Sequence, residues 1–265
     1  MRIYGVDFTC APRRAKPITV AVGTLRARRL VIEHLEALVS FSEFEALLRR
    51  AGPWVGGFDF PFSVPRELVG DLGWPRTWQG LVRHASRYSR LEFRALLDAY
   101  RQTRPAGRRY AHRATDLPAG SSSPMKLVNP PVALMFHEGA PRLAAAGVHL
   151  PALRRGDDAR VALEAYPGLL ARRQLGIRES YKSDTRSEQT AARRAVRARI
   201  LAALGRGEPL GIRLVTTLEK RLLDDGSGDA LDAAICAVQA AWAARQPGYG
   251  LPPSVPPAEG WIVSA

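Results

Sequence analysis

Three short β-forming runs follow one another at the start of the chain, and that succession restricts the fold more than any other feature. Residues 2–9 alternate in polarity, residues 16–23 repeat the pattern with Ile18, Val20 and Val22 on one side, and residues 28–35 supply a third run. Links this short join antiparallel neighbours, so the runs predict a three-stranded meander. Ser42-x-x-Glu45 has the form of a capping box, and Phe44, Leu47 and Leu48 make the amphipathic helix it opens, which ends by Gly52-Pro53. Residues 54–61 then read as a buried strand carrying Asp59 near its end, and residues 160–167 as another carrying Glu164. Helical patterns cover 168–174, 186–204 and 228–244. In the last, Leu231, Ile235, Val238 and Trp242 share one face and Ala233, Ala237, Ala240 and Ala244 another, the pattern of a helix buried on two sides. The order predicts an α/β fold: a mixed sheet, its antiparallel meander extended by parallel strands, flanked by helices.

Residues 62–155 differ in character, with turns at 73–75, 104–107 and 119–124 separating short helical stretches, one of them over 91–100. We expect one domain over 1–265 in which 62–155 forms a mainly helical, basic insertion or lid. The whole chain carries 39 basic and 25 acidic residues, a formal charge of +14, and the insertion holds fifteen of the basic residues against six acidic ones. Coding rich in G and C raises Arg, Ala, Gly and Pro together and accounts for part of the excess. Its concentration in one segment, interleaved with Trp74, Trp78, Tyr88, Phe93, Tyr100 and Tyr110, points to contact with a polyanion. Two separated cysteines, Cys10 and Cys236, make neither a disulfide framework nor a metal knuckle, which suits a reducing compartment. With no signal-like N-terminus and no run of about 18 apolar residues, the expected location is cytoplasmic, without a membrane.

The chemistry lies in the acids. Asp7, Asp59 and Glu164 each end an apolar strand, where an uncompensated carboxylate is costly to bury. If the strands are neighbours, the acids converge, and a hard divalent cation, Mg²⁺ or Mn²⁺, would relieve their repulsion. Asp229 and Asp232, three apart on the final helix, are set to complete the cage. Each acid also has an ordinary reading: a strand-end Asp caps turns, and Asp229 suits the first turn of a helix.

The stretches GVDFTCAP (5–12), GFDFPFSVP (57–65), EAYPG (164–168), YK (181–182), GDALDAA (228–234) and EGWI (259–262) resemble the domain-of-unknown-function family 429 over nearly the whole chain. The resemblance implies an RNase H-like fold and a nuclease activity, with distant similarity to RuvC-type junction resolvases. By that likeness Asp7 is the first-strand acid, Asp59 the middle-strand acid and Asp229 with Asp232 the helical pair, with Glu164 an additional acid. The implied reaction is two-metal-ion hydrolysis of a phosphodiester in DNA or RNA, with Asp7 bridging the ions. Lys182, Lys126, Arg108 and Arg109 are the candidates for contact with flanking phosphates.

Other chemistries lack their residues. The five histidines show no H-E-x-x-H spacing, Ser121 to Ser123 lack a G-x-S-x-G elbow, and Gly205-x-Gly207-x-x-x-Gly211 misses the dinucleotide pattern. A phosphotransferase of the actin-like branch would share the Gly5-Val-Asp-Phe-Thr9 loop but needs a second copy of the fold. A catalytically inactive nucleic-acid-binding scaffold is the non-enzyme alternative.

Overall fold

The computed structural model describes residues 1–265. Strands β1 (Arg2–Asp7), β2 (Ile18–Arg26) and β3 (Arg29–Leu38) form the expected antiparallel meander. Helix α1 (Phe41–Leu48) follows. Its cap is Ser40 rather than Ser42: the Ser40 hydroxyl accepts from Glu43 N, and the Glu43 carboxylate accepts from Val39 N at 2.6 Å. Two overlapping capping signatures stand in the sequence, and the earlier one supplies the cap, with Glu43 reaching back to the residue before it. Strand β4 (Trp54–Asp59) pairs parallel to β1, aligning Asp7 with Asp59.

Helices α2 (Arg66–Asp71), α3 (Trp78–Ala85), α4 (Arg90–Thr103), α5 (Asp116–Ala119) and α6 (Val132–Ala146) fill the predicted insertion, and a two-residue strand β5 (Val148–His149) follows. Strand β6 (Asp157–Glu164) pairs parallel to β4. A π-helical segment spans Leu169–Gln174, and α7 (Ala191–Arg206) begins five residues later than its pattern suggested. Strand β7 (Arg213–Thr216), helix α8 (Glu219–Asp224) and the long α9 (Asp229–Ala243) complete the fold. The open sheet has the order β5-β6-β4-β1-β2-β3-β7. β5, β7 and α8 were not foreseen; each is short, and short elements carry little periodic signal.

Alternation along the strands builds two cores. Tyr4, Val6 and Phe8 of the first strand region, with Val20, Trp54 and Phe58, face α1 and the helices of 62–155. Ile3, Ala21 and Val55 face α7 and α9. The 62–155 segment is thus the helical layer over one sheet face. Four of its six noted aromatics, Trp74, Trp78, Phe93 and Tyr100, are buried in that layer and unavailable for base stacking, while Tyr88 is half-buried and Tyr110 exposed.

On the opposite face, α9 lies almost against the backbone of β1 and β4. A Cβ on Gly5 would fall 1.9 Å from the Ala233 carbonyl oxygen, and one on Gly57 would fall 2.4 Å from that of Cys236. Bare backbone at these two positions, with alanines on α9, permits the approach. Asp7 and Asp59 come two residues after Gly5 and Gly57 and share their face, so the same approach brings the first turn of α9 onto both carboxylates.

Candidate metal centre at the strand ends

Three of the predicted acids meet. Carboxylate oxygens of Asp7, Asp59 and Asp232 lie within 4.8 Å of one another, contributed by adjacent parallel strands and the helix facing them. Burial, then the charges of Asp229 and Asp232, drives the Asp7 carboxyl well above the usual carboxylate range, against the pull of Lys182. Burial also pushes Asp59 up to about 7, with Lys182 again opposing and Asp232 adding to the rise. Mutual repulsion in a poorly solvated recess is what a bound cation relieves. The donors are hard oxygens, carried on elements anchored in both cores, and they fit Mg²⁺ or Mn²⁺.

Asp232 is fully buried; the Tyr181 hydroxyl donates to its Oδ1 at 2.6 Å, and the Lys182 ammonium donates to Oδ2. Asp229 does not join the triad. Its two oxygens accept from the Lys16 ammonium at 2.9 and 3.1 Å, and Lys16 also reaches Asp184 at 2.9 Å. Burial works against the charge on Lys16, but Asp229 and Asp184 override it and hold the ammonium above its usual range. Asp229 therefore stands beside the centre as the anchor of Lys16.

Glu164 is the clear departure from expectation. Its register partner on β4 is Phe58, not Asp59, so its side chain leaves the sheet on the opposite face from the triad. There Arg113 donates to both of its oxygens, at 2.7 and 2.6 Å, and Phe62 N donates at 3.0 Å. Arg113 also holds Asp116 at 2.8 Å. Glu164 is consumed by a buried ion network that ties β6 to the 62–155 layer, although it borders the same cavity as the triad.

That cavity has a volume of about 650 Å³ and is walled by the triad's strand ends, the loop over 121–132 and the segment 180–184. Lys126 stands on its wall, half-buried, as expected of a residue meeting phosphate. Arg108 does not: it lines a separate groove of about 780 Å³ with Asp71 and Arg104. Arg109 is exposed and absent from the acidic cavity's wall. In their place stand three cations not singled out from the sequence, Lys16, Arg113 and Arg172. For Lys16 a signal existed, because only four lysines occur among 39 basic residues.

These features define an open-sheet α/β protein with carboxylates gathered at the carboxyl ends of two parallel central strands, beside a cavity whose wall carries lysines and arginines among further acids. The chain belongs to the family described as "Protein of unknown function (DUF429)", matched over residues 5–257. No curated protein matches it. Nor does any solved structure. No helix is long and apolar enough to cross a membrane.

Proposed function

We propose that this protein is a divalent-metal-dependent nuclease that hydrolyses phosphodiester bonds of nucleic acid, with the RNase H-like arrangement its family resemblance implies. The observation that carries the reading is the convergence of Asp7, Asp59 and Asp232 within 4.8 Å, beside a cavity whose wall also carries Lys16, Lys126, Lys182, Arg113 and Arg172. Carboxylates serve the ion and the cations serve the phosphate, a division of charge suited to an anionic substrate. Further support comes from the strand order β3-β2-β1-β4-β6, with acids at the ends of β1 and β4.

Asp7, Asp59 and Asp232 would hold Mg²⁺ or Mn²⁺, and the bound ion supplies a more acidic water and a counter-charge at the phosphate. Three carboxylates serve one ion; a second would call on Asp229, which Lys16 now engages. Tyr181 orients Asp232 through its hydroxyl, and Lys126, Lys182 and Arg172 face the cavity to meet phosphate charge. A cytoplasmic location accords with two free, buried cysteines.

The test is a cleavage panel with Mg²⁺ and with Mn²⁺ over single-stranded, duplex, hybrid and four-way substrates. Wild type should cut at least one of them, while Asp7→Asn and Asp232→Asn, still folded, should lose about 10²-fold or more. Equal turnover by all three proteins would refute the assignment. The inactive-scaffold reading has one observation in its favour, the ammonium of Lys182 seated on Asp232. Tight nucleic-acid binding without Mn²⁺ uptake would select it.

A further inference from the structure

Lysine is scarce in this chain, four residues among 39 cations, yet three of the four line one cavity. The fourth, Lys220, is at the surface beside Asp224 at 3.2 Å. Elsewhere the sequence uses arginine for its positive charge, so the exceptions ask for a reason particular to ammonium. A guanidinium is a broad planar fork whose N–H groups meet carboxylates edge-on, whereas an ammonium is a compact point charge of the kind several converging carboxylates can surround.

Lys182 is built into that position. The Tyr181 carbonyl accepts from Arg197 at 2.6 Å, and Ser183 N donates to the Gly226 carbonyl at 3.1 Å, so the backbone is pinned on both sides of residue 182. Its stem crosses Gly228, the residue capping α9: a Cβ there would lie 2.6 Å from the Lys182 Cβ, and the backbone φ of +80° favours glycine in any case. The stem therefore passes over the start of α9 and delivers the ammonium to Asp232. Lys16 lines the same cavity but engages Asp229 and Asp184, outside the triad.

Resting on the metal-site reading above, we propose that Lys182 is the cation the carboxylate triad holds before metal arrives. Metal uptake is then an exchange: the divalent ion takes Asp232, and the Lys182 ammonium turns into the cavity to neutralise the substrate phosphate. The divalent ion brings more charge than the ammonium it displaces: three ionised carboxylates go from a net −2 with Lys182 to −1 with the metal, and the released ammonium is matched to one phosphate charge. Lys182 acts as a built-in counterion and then as a phosphate ligand, while Lys16 stays on Asp229 throughout.

The experiment is calorimetric titration of the full chain with Mn²⁺ for wild type, Lys182→Met and Lys16→Met, with thermal unfolding confirming that each is folded. Methionine keeps the length of the stem and removes the charge. Lys16→Met reports the through-space effect of deleting one ammonium near the centre without vacating the triad. Lys182→Met should bind Mn²⁺ about tenfold tighter or more, and Lys16→Met within about threefold of wild type. At saturating Mn²⁺, Lys182→Met should cleave about 10²-fold more slowly. An unchanged affinity in Lys182→Met, or equal gains in both variants, would overturn the exchange while leaving the metal site standing. Wild-type turnover in Lys182→Met would overturn the phosphate role. Absence of Mn²⁺ binding in wild type and Lys182→Met alike would remove the metal centre itself, and the proposal with it.

Discussion

Replacing Arg113 with methionine separates the two roles open to Glu164, ligand or structural anion. Arg113 and Glu164 are 2% and 4% exposed and joined at 2.6 Å, with the fully buried Asp116 on the same guanidinium at 2.8 Å. Removing the cation strands two carboxylates in the interior, and breaking a buried pair from one side costs about 3–5 kcal/mol. At roughly 2 °C per kcal/mol for a chain of this length, the unfolding midpoint should fall by about 6–10 °C. Glu164→Gln keeps the acceptor for Phe62 N and leaves Arg113 paired with Asp116, so its loss should be smaller, about half. Because the triad hangs from the other face of the sheet, both variants should bind Mn²⁺ within about threefold of wild type below their midpoints. Thermal unfolding and calorimetry read the two quantities independently. A Glu164→Gln protein that melts at the wild-type temperature but no longer takes up Mn²⁺ would show that Glu164 is a ligand and that the face assignment is wrong.

Two further outcomes follow from the same geometry. Gly5→Ala should cost about 1–3 kcal/mol by forcing α9 off the sheet, where the new methyl would meet the Ala233 carbonyl, and Mn²⁺ affinity should drop with it; unchanged affinity would show that the triad does not depend on this approach. Asp59 is raised from 3.8 to about 7, so its folded form holds a proton the unfolded chain releases, and that stability is present in acid and lost as pH rises through about 7. In chelator at pH 8, Asp59→Asn should therefore be the more stable protein by up to about 4 kcal/mol. It should gain nothing from Mn²⁺, whereas wild type at 100 times the dissociation constant gains about 2.7 kcal/mol. Melting curves at pH 5 and pH 8, with and without Mn²⁺, check both; a pH-independent wild type would contradict the burial of Asp59.

Local periodicity carried the meander, β4, β6 and α9, because alternation by two and recurrence near 3.6 are written in each segment without reference to the rest of the chain. The acids at the ends of β1 and β4 were legible for the same reason, and so was Asp232, which stands between Leu231 and Ala233 in an apolar helix. Glu164 could not be placed from its own strand. A shift of one residue in the pairing between β4 and β6 sends every side chain to the other face, and only the assembled sheet aligns Glu164 with Phe58. Asp229 and Asp232 are equivalent by spacing; what parts them is where α9 rests, set by Gly5 and Gly57 more than two hundred residues earlier for the first and far along the chain for the second. The same holds for Lys16 and Arg113, whose partners are Asp229 and Glu164. The amino-acid order thus determined which carboxylates would end apolar strands, since that follows from hydrophobic alternation alone. Which of them face one another, and which cations they face, was decided only by sheet register and helix approach, because electrostatic partnership depends on distance in space and leaves no periodic trace along the chain.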